Sequence, residues 1–457
     1  MKPVHNRFRT LWWLSLLACI LVMVTIGCNG TGQGGSGAPT YEGEVKQILA
    51  DRCLSCHQDG EIAPFSLSSY DEVRDTSSAI AHAIETGSMP PWPPDDTCNS
   101  YERNKSLSPE ERQAVLGWVE AGTPEGQPSQ EDQEDSDEEE AITYDLDLTM
   151  AEPYTPQLEP DDYRCFVMDW NAETEKYVTG FRVLPGRRDV VHHVITFVAG
   201  PSLADDFLAM DEADPGPGYT CFGSPVSAGA SQAASYGWRW LGSWAPGGSH
   251  RTFPEGTGIR VQPGSVLVMQ VHYNTLSSEP VQDQTTFQVR LSDEVERAAT
   301  VMPITNYRWI SGNETMAIEA GDPDAQASHD LDLSADVLDY LGTEAGLSNG
   351  DPFLVHSVGL HMHLLGTKAT AWLERADTSE QCLLDIPEWD FDWQGAYDLQ
   401  TPVEVNPGDR FHMQCHWDNS EDNQPVIDGE RAAPQDVAWG EGTRDEMCLA
   451  ILYITAP

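Results

Sequence analysis

The stretch HSVGLHMHLLG, residues 356–366, places His361 and His363 two apart with Met362 between them. Residues i and i+2 of a strand face the same way, so both imidazoles can reach one metal ion while Met362 turns into packing. Two histidines are only half of a site. Others stand in two further apolar stretches, His192 and His193 in DVVHHVITF and His272 in SVLVMQVHY. Adjacent residues on a regular strand diverge, so His192 and His193 share an ion only across a bulge or through different ring nitrogens. His272 shares a face with Gln270 and Val268 and can be projected inward to complete a three-histidine set. Any one of these imidazoles alone reads as an ordinary core or surface residue. Five of them in three clusters of apolar strands point to metal.

A different chemistry is written in CLSCH, Cys53 to His57. Two thiols that can add to vinyl groups, followed at once by an imidazole that can ligate iron, form the attachment signature of c-type haem. A bare C-x-x-C would serve equally as a redox pair or half a zinc site. The adjoining His57, an export signal and the lack of a second C-x-x-C favour haem. Met89 in GSMPPWPP is the expected sixth ligand, held extended by the prolines after it, and His82 competes with it. The segment is similar to the small cytochrome c-like domains of bacterial secreted proteins, which carry Met-Pro-Pro-Trp in this place.

These residues need elements to hold them. YDEVRDTSSAIAHAIETG has helical spacing, and SPEERQAVLGWVEAG opens with Ser108 as N-cap, Pro109 in the first turn and Glu111 closing a capping box. Eight of the ten residues from Glu131 to Glu140 are acidic, which no core can absorb, so residues 124–142 read as a self-repelling linker. Beyond it come short alternating strands broken by Pro-Gly and Asn turns. VQPGSVLVMQVHYN (261–274) and VNPGDRFHMQCHWD (405–418) repeat one pattern, which predicts two related β domains. The expected fold is mainly β: two tandem jelly-roll-like β-sandwiches, 143–293 and 294–457, preceded by a small all-α cytochrome c-like domain, 42–123. By the repeat, His416 is the counterpart of His272 and a rival third ligand for His361 and His363.

Lys2, Arg7 and Arg9 precede the apolar run LWWLSLLACILVMVTIG, which reads as a secretory leader over residues 1–28. TIGC resembles a bacterial lipobox, with Thr25 where Leu is usual, and implies a lipidated Cys28. A transmembrane anchor is the alternative, since the run approaches the ~20 residues a span needs. Residues 29–41 then form a flexible tether. The expected location is that of an exported bacterial lipoprotein, in the periplasm or at the cell surface, anchored to the outer membrane. A net charge of −49 argues against nucleic acid as a partner. Setting aside Cys19, Cys28, Cys53 and Cys56, six of the ten cysteines remain for disulfides in an oxidising compartment.

The His-His pair, the later His-Tyr, the His-x-His and the Met-Cys strand in RDEMCLAILYI occur in one order. In that order they resemble the copper type II, ascorbate-dependent monooxygenases, the family of peptidylglycine α-hydroxylating monooxygenase and dopamine β-hydroxylase. The likeness covers about residues 162–454. It implies one copper at His192, His193 and His272, and a second at His361, His363 and Met447, where O₂ reacts. It also implies disulfides Cys165–Cys221 and Cys415–Cys448, leaving Cys98 and Cys382 without counterparts. Peptide-amidating members hold a substrate carboxylate with an arginine and a tyrosine, where this chain has Gly359 and Ile451. The expectation is therefore an O₂-dependent hydroxylase of a C–H bond in a small organic substrate other than a peptide C-terminus. Its electrons come from an ascorbate-like reductant or another redox protein, through the fused haem domain. A non-catalytic copper-binding or redox-relay lipoprotein on the same fold is the alternative.

Overall fold

Ser69 and Ser108 each precede a helical segment and each caps it: the hydroxyl accepts from the N3 backbone, and the N3 glutamate accepts from the serine N–H. The helices Lys46–Arg52, Tyr70–Thr86 and Pro109–Glu120 so defined pack around Val45, Leu49, Val73, Ile84, Val115 and Trp118. Gly87, at φ 76°, ends the second in a left-handed turn that L side chains resist. An Arg52–Glu111 pair at 3.0 Å ties the first helix to the third. In this computed structural model the described residues are 38–58, 63–128, 142–227, 237–245, 248, 250–275, 279–332, 342–391, 393–427, 430–442 and 444–457. The leader with Cys28, the tether as far as residue 37 and most of the acidic linker lie outside them. Among the described residues no helix is long and apolar enough to cross a membrane.

The rest is built mainly of strands, in two sandwiches that share one sheet, with a helix at Ala204–Ala213. A nine-stranded sheet runs in the order Leu146–Thr149, Thr286–Ser292, Lys176–Leu184, Thr257–Val261, Arg297–Ile304, Leu449–Thr455, Phe353–His361, Ala396–Val405, with His250–Thr252 paired to Lys176–Leu184. Its first half closes on a five-stranded sheet (Tyr219–Thr220, Asp161–Asp169, Val266–Asn274, Val191–Ala199, Trp238–Trp244). Leu267, Met269, Val271, Phe181 and Phe287 fill the space between. Its second half closes on a four-stranded sheet (Ala325–Asp332, Arg410–Trp417, Gly366–Glu374, Glu380–Ile386) over Val358, Leu360, Met362, Phe411 and Met413. The tandem sandwiches are thus continuous. Arg297–Ile304 pairs in parallel with Thr257–Val261 of the first and antiparallel with Leu449–Thr455 of the second.

Cys165 bonds to Cys221 and Cys415 to Cys448, each within one sandwich. The third bond joins Cys98 to Cys382, 284 residues apart. Closing so long a loop restricts the unfolded chain by on the order of 5 kcal/mol in the chain-entropy account. The helical segment 42–123 is therefore covalently fastened to the second sandwich, rather than joined to it through the linker alone.

Candidate metal centres

Both histidine sets stand on the side of their sheets turned away from the sandwich cores, His363 just past the end of the strand Phe353–His361. Leu267, Met269, Val271 and Tyr273 enter the first core, which sends His272 to the opposite face of its strand. Val358, Leu360 and Met362 enter the second core, so His361 and His363 turn outward. Met362 packs, as its position between the histidines requires.

The divergence of His192 and His193 is resolved by a bulge. The register between Val191–Ala199 and Val266–Asn274 shifts between Val191 and His193, and His193 then pairs directly with His272. The three Nδ1 atoms form a triangle, with His192 to His272 at 3.2 Å and both remaining sides at 3.3 Å. A point in its plane lies about 1.9 Å from each nitrogen, close to an imidazole–metal bond length. Among the described residues this is the one group of three or more His, Cys, Asp or Glu close enough to hold one ion. Asp161 Oδ1 accepts from His272 Nε2 at 2.8 Å, which fixes the tautomer that leaves the Nδ1 lone pair for the metal. Asn274 donates to the same oxygen at 2.9 Å, and Tyr163 stacks flat on the His272 ring at 4.1 Å. Burial, then the neighbouring imidazoles, pushes His192 down to about 3 and His193 well below its ordinary value. His272 is also lowered by burial, against the pull of Asp161. Each shift favours the neutral imidazole, the form that ligates.

The second set is oriented through the other ring nitrogen. His361 Nδ1 donates to Gln394 Oε1, and His363 Nδ1 donates to the Asp445 carbonyl at 2.9 Å. Each Nε2 is left with its lone pair free. Burial lowers His361, and burial with the His361 charge brings His363 to about 3. Met447 is buried and lines the same cavity as both. Its placement follows from two neighbours: His361 pairs with Leu449 across the sheet, and the Glu446 carboxylate accepts from the His363 and Leu365 backbones at 2.8 and 2.7 Å. Trp417 Nε1 adds a third bond to that carboxylate, at 2.8 Å.

His416, the ligand that the repeat nominates, is not brought to this site. The strand Arg410–Trp417 buries alternate residues, and His416 lies on the partly exposed side with Nδ1 3.2 Å from Asp324. Its neighbours Cys415 and Trp417 face inward instead. His82 is likewise displaced: it is exposed on its helix, whereas Met89 and His57 line the cavity.

That cavity, of about 1130 Å³, is bounded by both histidine sets and Met447, and also by Cys53, Cys56, His57 and Met89. Cys53 and Cys56 are unpaired. Burial raises the Cys53 thiol to about 11. His57 Nδ1 donates to the Phe65 carbonyl at 3.2 Å, a bond that leaves the Nε2 lone pair free to ligate. Gly359 and Ile451 are cross-strand partners on the cavity wall, and they offer a carboxylate nothing to pair with. Asp161, Gln394, Phe391 and Glu446 escape sequence reading. Each lies far along the chain from the histidines it serves, and only strand register reveals it.

Residues 348–455 match the family described as copper type II ascorbate-dependent monooxygenase, C-terminal domain. The human putative DBH-like monooxygenase protein 2 is 24% identical over 332 residues, covering 69% of this chain and 57% of its own. The DBH-like monooxygenase protein 1 of Gallus gallus is 23% identical, over 67% of this chain and 46% of its own. Peptidyl-glycine alpha-amidating monooxygenase A of Xenopus laevis is 24% identical, over 68% of this chain and 28% of its own. The chain thus spans between 28% and 57% of the length of these relatives. Among solved structures, the naturally occurring empty particles of cowpea mosaic virus align over 68% of this chain and 90% of that chain. They do so at 9% identity and a TM-score of 0.26, too low to carry an argument.

Proposed function

We infer that this chain, whose residues 348–455 match the C-terminal domain of the copper type II ascorbate-dependent monooxygenases, is a two-copper oxidoreductase that hydroxylates a C–H bond of a small organic substrate with O₂. The observation that carries the reading is the Nδ1 triangle of His192, His193 and His272 facing, across one cavity, a second pair of buried imidazoles beside Met447. Copper at the two sets would supply one-electron redox chemistry and O₂ activation, the thioether favouring the cuprous ion.

The chain's own residues do the rest. Asp161 fixes the tautomer of His272, and Gln394 and the Asp445 carbonyl fix those of His361 and His363. Trp240, Trp244, Phe253 and Phe391 give the space between the two sets an aromatic wall. Gly359 and Ile451, where peptide-amidating members hold a substrate carboxylate, offer it no partner on that wall, which favours a substrate other than a peptide C-terminus.

Residues 42–123 would bind haem c through Cys53 and Cys56, with His57 and Met89 as axial ligands, and deliver electrons to the coppers. Unpaired thiols and a His57 ring oriented by Phe65 support that assignment. Three disulfides fit an exported protein, and with a lipidated Cys28 it would be membrane-anchored. Metal analysis with oxygen uptake on the purified, reduced protein tests the function. Two coppers and one haem per chain with O₂ consumption is the expected result. Copper binding without O₂ uptake in the presence of candidate substrates and reductant would leave a relay instead of an oxygenase.

A further inference from the structure

Residues 92–104 leave the helical module and build into the second sandwich. Besides the Cys98–Cys382 bond, Asp95 N donates to the Asp385 carbonyl at 2.8 Å and Glu102 N to the Asp398 carbonyl at 2.7 Å. Tyr101 bridges to Leu399 and is 1% exposed, so a side chain of the module is part of the second core. Arg103 pairs with the buried Asp398, which Arg251 of the first sandwich also engages. A covalent bond, a short ladder, a buried ring and an ion pair together make a fixed seat.

The seat places one ring contact where an electron would cross. Trp92 follows Met89 by three residues and meets Tyr397 edge-on, with centroids 5.4 Å apart. Tyr397 pairs across the sheet with Val358, three residues before His361. From Met89 to His361 the connection is therefore a short run of chain, one ring contact, one rung of the sheet and another short run.

We propose that Trp92 and Tyr397 couple the CLSCH module to the His361–His363–Met447 site as an internal electron conduit, held in place by the Cys98–Cys382 seat. The proposal rests on the haem reading of Cys53, Cys56, His57 and Met89. The step is a single-electron transfer in which no bond forms or breaks: iron goes from ferrous to ferric and copper from cupric to cuprous. The electron on iron comes from an external one-electron reductant. Neither aromatic residue touches a reacting atom, so both are positioning and coupling residues.

Two measurements test it on the full-length protein. In the first, a protease site is placed within residues 130–140 and cut. The pieces should stay joined on a non-reducing gel and separate only after reduction, whereas free separation would overturn the seat. In the second, oxidised, copper-loaded protein is mixed with substoichiometric dithionite, and the haem absorbance and the cupric EPR signal are followed together. Haem re-oxidation should match copper reduction at a rate independent of protein concentration. Trp92→Leu and Tyr397→Leu should slow it tenfold or more with haem spectrum, copper content and Tm unchanged, and Trp92→Phe should restore most of the rate. A purely structural role would lower Tm or cofactor content together with the rate, and that result overturns the conduit. Purified protein without covalent haem overturns the haem reading and the conduit with it. Haem present, with a rate that rises with protein concentration or ignores Trp92→Leu, overturns the conduit alone.

Discussion

The ring of Phe391 stacks on that of His192, centroids 5.2 Å apart and 22° from parallel, and meets His363 edge-on at 6.2 Å. One side chain thus touches a member of each histidine set without offering either a ligand atom. Phe391→Ala should lower the unfolding free energy by about 1 kcal/mol and leave both coppers bound. Urea denaturation and metal analysis check this. Loss of the copper at His192 would mean that the ring holds that imidazole in its ligating rotamer.

Asp161 touches the three-histidine set through His272. Asp161→Asn should weaken copper at the three-histidine set by about 10–100-fold and spare the set at His361. Chelator-competition titration separates the two. Equal weakening at both would assign Asp161 a general role in folding.

Met447→Ala should remove a copper–sulfur shell from the X-ray absorption spectrum of the reduced protein, with copper at the three-histidine set retained. His416→Ala should leave the spectrum as it is, because its imidazole faces Asp324 at the surface. A wild-type spectrum without sulfur, with copper lost in His416→Ala, would return the site to a third imidazole.

The Glu446 carboxylate satisfies the His363 and Leu365 N–H groups and the Trp417 indole. Glu446→Ala orphans three buried donors, at about 1–3 kcal/mol each before relaxation. It should therefore be among the most destabilising single changes in the second sandwich, on the order of 3 kcal/mol or more by urea unfolding. Glu446→Gln keeps an acceptor and should lose less. Equal losses would show that the negative charge, not the hydrogen bonds, is what matters.

Glycine-extended peptides should pass through the enzyme unhydroxylated, because Gly359 and Ile451 face each other on the cavity wall. Peptide turnover followed by mass spectrometry decides it. Efficient turnover would require a carboxylate anchor elsewhere in the cavity.

What the sequence makes legible here is periodicity. The i, i+2 rule sends His361 and His363 to one face, and the adjacency of His192 and His193 calls for a bulge or different ring nitrogens, of which the register shows the bulge. The serine caps are readable for the same reason, since both partners lie within one turn. The repeat aligns His416 with His272 but is silent on which face of each strand is covered. Val266–Asn274 is buried on both faces, whereas Arg410–Trp417 is buried on one, so equal positions meet unequal surroundings. Cys98 and Cys382 could not be paired because nothing local relates residues 284 apart. Asp161 and Gln394 were hidden for the same reason: their meaning lies in strand register.

The parallel pairing of Thr257–Val261 with Arg297–Ile304 joins the two sandwiches through one sheet, and the five-stranded sheet that carries His192, His193 and His272 is held against it by the packed core of the first sandwich. Widening the gap between the two histidine sets means breaking rungs of the shared sheet or opening that packed core, so it behaves as a rigid gauge and not as a jaw. Oxidised, reduced and substrate-bound forms should superpose closely across both sandwiches. A lineage acquiring new substrates on this frame would recut the side chains of the wall and leave the spacing of the metals as inherited.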